Sequence, residues 1–72
     1  YSIPNSGLVT INIFNSLGQN VVELVNQFQS AGKHSITWNG KSENNITLST
    51  GIYFCNIRYN NTSKTIKMTF LK

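Results

Sequence analysis

Gly51-Ile-Tyr-Phe-Cys-Asn-Ile-Arg-Tyr-Asn-Asn-Thr-Ser-Lys-Thr-Ile-Lys-Met-Thr-Phe-Leu-Lys72 is the stretch whose pattern decides the fold. Tyr53, Cys55, Ile57 and Tyr59 recur at every second position, as do Ile66, Met68 and Phe70. Side chains alternate faces along a β-strand, so each run presents one apolar face. Asn60-Asn61-Thr62-Ser63 between them is a polar turn, and the pair reads as a hairpin. Strand-forming residues continue almost to Lys72. A terminal segment of that composition is expected to be held in a sheet, since untied ends fray.

Working back from the hairpin, the remaining segments follow the same period. Tyr1 to Pro4 reads as a short strand cut by proline, and Asn5-Ser6-Gly7 as a turn. Leu8 to Phe14 alternates cleanly, with Val9, Ile11 and Ile13 on one face. Asn15-Ser-Leu-Gly18 is a turn in which the asparagine side chain can accept from backbone two residues on. Val21 to Val25 is the next strand; its doubled Val21-Val22 and Leu24-Val25 imply a bulge or burial on both faces. Asn26 to Gly32 reads as a polar connection, then Lys33 to Asn39 as a strand with His34, Ile36 and Trp38 on one face. Asn39-Gly40 is a turn, and Lys41 to Thr50 a loop centred on Asn44-Asn45 and anchored by Ile46 and Leu48.

Six strands, or seven with a piece near Leu48, in a chain of 72 residues give one domain over residues 1–72: an all-β antiparallel sandwich. The expected core is Val9, Ile11 and Ile13; Ile36 and Trp38; Tyr53, Cys55 and Ile57; and Ile66, Met68 and Phe70.

Catalytic chemistry finds little to work with. Glu23 and Glu43 are the only acidic side chains, one on a strand and one in a loop, and nothing in the sequence pairs them as acid and base. One cysteine, one histidine and no carboxylate cluster make a poor metal-ligand set, and no glycine-rich phosphate loop is present. Cys55 and His34 fall on apolar faces, where packing, with His34 beside Trp38, is the simpler role than a Cys–His nucleophile. No enzymatic activity and no cofactor are expected. Residues 1–32 carry a net −1 and residues 33–72 a net +5. The six cations form no run and accompany no recognition helix, so dispersed solubilising charge is favoured over nucleic-acid binding. Trp38, Tyr53 and Tyr59 admit a sugar-stacking surface or, since Trp38 alternates with Ile36, a core tryptophan. Three Asn-x-Ser/Thr triplets match the glycosylation pattern, as expected by composition in an asparagine-rich chain.

The order of motifs is distinctive. It runs Val9-Thr-Ile-Asn-Ile-Phe-Asn-Ser-Leu-Gly-Gln19, Val21 to Val25, Ala31-Gly-Lys-His-Ser-Ile-Thr-Trp-Asn-Gly40, Thr50-Gly-Ile-Tyr-Phe54 and Lys67-Met-Thr-Phe-Leu-Lys72. This series closely resembles the type A C-terminal sorting domain of the bacterial type IX secretion system. It is similar, more distantly, to the immunoglobulin-like domain of flagellar hook-capping proteins. Asn39, Asn45, Thr47 and Cys55 stand where the sorting family often has Asp, Gly, Pro and an aromatic residue, and a short strand segment that usually precedes the equivalent of Tyr1 is not found.

The resemblance implies an immunoglobulin-like sandwich that acts as a non-enzymatic secretion signal. It would direct an upstream cargo domain from the periplasm to the outer-membrane translocon, with the type IX machinery and its sortase-like peptidase as partners. The destination would be the cell surface or the medium, and neither nucleic acid nor a small-molecule substrate is implied. The expected reading surface is the closing strand, through Lys64, Lys67, Thr69, Leu71 and Lys72, on its outward side or at its end. Lysines there also guard a strand edge against aggregation. The competing readings are a passive stalk or carbohydrate-binding module of an exported enzyme, and a structural assembly module like the hook-capping domain.

Overall fold

The computed structural model describes residues 1–44 and 46–71. Among them are six strands and no helix: β1 (Ser2–Ile3), β2 (Gly7–Asn15), β3 (Asn20–Gln29), β4 (Gly32–Lys33), β5 (Gly51–Tyr59) and β6 (Thr62–Phe70). The long strands form one antiparallel sheet in the order β3-β2-β5-β6, and β1 pairs with β4 in a second, two-stranded sheet. The protein is an all-β sandwich, as its alternation requires.

The core lies on one face of the larger sheet. Val9, Ile11 and Ile13 of β2 are fully buried, and β2 is central because strands flank it on both sides. Its register with β5 sets Ile11 beside Ile57 and Ile13 beside Cys55. Ile3 and Val25 complete the main cluster, with Tyr1, Leu24 and Tyr59 packed around it. Neither Ile3 nor Val25 is among the expected core residues. Tyr53 is buried, while Trp38, Cys55, Ile57, Met68 and Phe70 are half-buried.

The β2–β3 hairpin carries both local signals. Leu17 N–H donates to Asn15 Oδ1 at 3.0 Å, and Gly18 adopts a φ of 85°. Gly18 N–H donates to Asn15 O at 3.0 Å, closing the turn. The ladder then slips twice: Ile11 faces Val25 but Asn12 faces Glu23, and Ile13 faces Val22 but Phe14 faces Asn20. Leu24 and Val21 are thus the extra residues of two bulges, which is why apolar residues are doubled there. β3 also runs on through Asn26–Gln29, part of the expected polar connection, because β2 extends back to Gly7 and offers backbone partners that far.

The strand expected over Lys33–Asn39 is reduced to its first residue. β1 pairs Ser2 with Lys33 and Ile3 with Gly32. The amine of Tyr1 donates to His34 O at 2.9 Å, and His34 N–H donates to Tyr1 O at 2.8 Å. That register brings no described residue opposite 35–38, so this segment has no ladder to join and alternation alone does not make it a strand. Ile36, expected in the core, is accordingly 46% exposed.

The 40–48 loop is held by backbone. Lys41 N–H donates to Asn39 Oδ1 at 3.0 Å, Gly40 takes a φ of 77°, and Leu48 N–H donates to Gly40 O at 3.0 Å. Leu48 is half-buried, but the Ile46 side chain is 61% exposed, and Ile46 holds the loop through its backbone instead, its C=O accepting from Ser42 N–H at 2.9 Å. The turn expected at Asn45 lies outside the described residues.

Candidate recognition surface

β6 is an edge strand. It pairs with β5 from Gly51–Phe70 to Tyr59–Thr62, and among the described residues no strand pairs with its other side. The two-residue turn Asn60-Asn61 joins them, with Asn60 at a φ of 52°. Two-residue hairpins need positive φ at the first central position, and asparagine tolerates it better than any residue but glycine. Such a turn closes on a hydrogen-bonded pair, here Tyr59 with Thr62. The alternation then points the backbone N–H and C=O groups of Ser63, Thr65, Lys67 and Thr69 away from β5.

Register fixes which side chains face where. Met68, Ile66 and Lys64 pair with Tyr53, Cys55 and Ile57 and share the core side of the sheet. Lys67 and Thr69 pair with Phe54 and Ile52 and lie on the opposite face. Of the expected reading residues, Lys67, Thr69 and Leu71 are exposed, Leu71 by 75%. Lys72 lies outside the described residues. Lys64 is exposed but on the core-side face, not the outward one, because its even position puts it in phase with Ile66 and Met68.

That side of β6 borders a groove of about 710 Å³. Ile57, Tyr59, Lys64 and Ile66 line one wall, and Tyr1, Ile3, Pro4, His34 and Ile36 the other. The groove separates the two sheets here, so Ile66, expected in the core, is 42% exposed. Sequence alternation gives the face of a residue but not whether another layer reaches it.

Among the strands of the larger sheet charge is polarised, although Lys41 lines the same cleft as Glu43 beside β3. Lys64 and Lys67 sit on the β6 edge, with Arg58 on the neighbouring strand. Both acidic side chains are at the opposite edge: Glu23 is on β3, and Glu43 Oε2 accepts from Glu23 N–H at 3.1 Å while Glu43 N–H donates to Val21 O at 3.0 Å. Glu43 thus ties its loop to the β3 edge.

Reactive groups are dispersed. Cys55 is half-buried, and burial pushes its thiol above the ordinary cysteine pKa, the opposite of what a nucleophile needs. His34 does not pack beside Trp38; it stacks on Tyr1 with ring centroids 5.5 Å apart, and its Nε2 lies 2.7 Å from Ser30 O. Among the described residues no three His, Cys, Asp or Glu side chains converge as metal ligands. Trp38 is half-buried in an aromatic cluster. Its ring centroid is 5.4 Å from those of Tyr53 and Phe70, and its Nε1–H donates to Lys41 O at 3.1 Å.

Comparison with known families matches residues 4–63 to the FlgD Ig-like domain. The chain belongs to this family. The FlgD Ig-like domain is a non-catalytic structural domain, and the match spans β2 to β5 and the first turn of the closing hairpin. No curated protein and no solved structure matches. Most of β6, including Lys64 and Lys67, lies beyond the matched residues.

Proposed function

We propose that this FlgD Ig-like domain is a non-enzymatic sorting signal that delivers an attached cargo protein to a type IX outer-membrane translocon. The observation that carries the reading is the state of the closing strand. The Lys67-Met-Thr-Phe-Leu-Lys72 motif, which resembles that of type A sorting domains, begins on an open sheet edge with Lys67, Thr69 and Leu71 exposed. An address read on a folded domain needs an accessible edge and distinctive side chains, and no reactive group. The partners on this reading are the translocon, its sortase-like peptidase and the cargo domain; the route runs through the periplasm to the cell surface or the medium.

The test is removal of residues 67–72 from the full cargo protein in its native host. Accumulation of folded cargo in the periplasm is the expected result. Normal export of the truncated protein would refute the assignment.

A second reading is favoured by the family match itself: an assembly module, as in the flagellar hook cap. Such a module works through contacts with neighbouring subunits, so its truncation should impair assembly and leave export unchanged.

A further inference from the structure

We infer that the β6 edge binds an extended acidic strand, whose apolar side chains enter the groove between Ile36 and Ile66 while its carboxylates meet Lys67 on the opposite face. The inference names partner chemistry for the surface proposed above and rests on β6 being the strand that is read.

Three observations converge on that occupant. The backbone of Ser63, Thr65, Lys67 and Thr69 points outward, and no described strand pairs with it. Unpaired strand edges recruit further strands, and the added hydrogen bonds supply affinity without sequence preference. Specificity must come from side chains, which alternate faces on an added strand as they do on β6. On the core side they would lie over a groove walled by Ile3, Pro4, Ile36, Ile57 and Ile66, where apolar groups gain by leaving water. On the other side they would meet Lys67; Arg58 lies on the same face of β5 but opposite Ser63, four positions along the ladder. Lys64 adds a cation to the groove wall.

Charge selects among possible strands. Cations on an edge repel a basic strand and raise the encounter rate of an acidic one. The only acidic side chains of this domain sit at the far edge of the sheet, so none competes for Lys67. Another copy of β6 would bring lysines against lysines, which disfavours self-pairing.

The experiment titrates the isotope-labelled 72-residue chain with a short synthetic peptide alternating valine and glutamate, and separately with one alternating valine and lysine. The glutamate peptide is expected to shift the amide resonances of Ser63, Thr65, Lys67 and Thr69 and slow their exchange with solvent. The lysine peptide should bind about tenfold more weakly or worse, the loss of roughly one charge contact. Lys67→Glu lies on an exposed position and should reverse that preference without unfolding the sheet; Ile66→Ser should weaken both peptides. Equal binding of the two peptides, shifts confined to other strands, no binding, or protection of the β6 amides by rising protein concentration alone would each overturn the inference. Export separates it from the sorting reading. If removal of residues 67–72 blocks export while Lys67→Glu exports normally and the peptides do not bind, only the acidic-strand inference fails. If that truncation exports normally, the sorting reading fails.

Discussion

Gly40 lies so close beneath Phe70 that a Cβ at position 40 would stand 2.4 Å from the Phe70 Cζ. The contact clamps the end of β6 to the loop that follows Trp38, and Trp38 and Tyr53 hold the same phenyl ring from the sides. Gly40 also has a φ of 77°, which a side chain strains. Gly40→Ala should therefore cost about 2–4 kcal/mol, from left-handed backbone strain together with displacement of a packed ring. Urea unfolding of the two proteins measures the difference. A loss below about 0.5 kcal/mol, the level of an unstructured surface site, would show that the clamp is not formed.

Trp38→Ala tests the aromatic cluster on the same side. Full burial would set the cost of such a truncation at about 3–5 kcal/mol. The indole is half-buried, so about 2–3 kcal/mol is expected, including the indole hydrogen bond to Lys41 O. Tryptophan fluorescence gives an independent check. The folded chain should emit at shorter wavelength than the urea-unfolded chain, and no difference between them would place Trp38 in water.

Local pattern and layer coverage were not equally legible in the sequence. The β5–β6 hairpin, the Asn15–Gly18 turn and the doubled residues that become bulges at Val21 and Leu24 all depend on neighbours within a few positions, and all form as their chemistry directs. Ile36 and Ile66 alternate as well as Ile11 does, yet they stand apart across a groove. Their burial depends on what lies above them, which periodicity does not encode. Val25 shows the converse: hidden in an irregular run, it is buried because it stands directly across from Ile11 in the ladder, on the core face, just before the bulge at Leu24. For the reading surface, β6 and the phase of its side chains follow from the pattern, while its edge position, the groove and the charge polarity require the strand order.

Cys55 should behave as a protonated, sluggish thiol. Desolvation raises its pKa, so the native protein should react with iodoacetamide more slowly than the urea-unfolded chain at neutral pH. The stability consequence has a definite sign. Below the ordinary cysteine pKa both states are protonated and nothing changes with pH. Above it the unfolded chain loses its proton first, so the folded state is progressively disfavoured as pH rises toward the native value. Wild type should lose stability across that alkaline window relative to Cys55→Ala, whose offset from lost packing does not vary with pH. Parallel stability curves, or fast native alkylation, would contradict the burial of this thiol.

Asn60 controls β6 from a distance because, among the described strands, β5 alone pairs with it. With a φ of 52°, Asn60 is in a conformation that costs most residues about 1–2 kcal/mol and glycine almost nothing. Asn60→Ala should therefore weaken the hairpin by about 1 kcal/mol, whereas Asn60→Gly should stay close to wild type. The loss should be local. β2 and β3 keep their own ladder and the fully buried Val9, Ile11 and Ile13, so the β6 edge can open first. Amide hydrogen exchange at residues 62–70 should accelerate in Asn60→Ala more than exchange in β2. Uniform acceleration across all strands would mean instead that the hairpin opens only with the whole sandwich, and that its edge is not independently accessible to a partner strand in need of a pliant template.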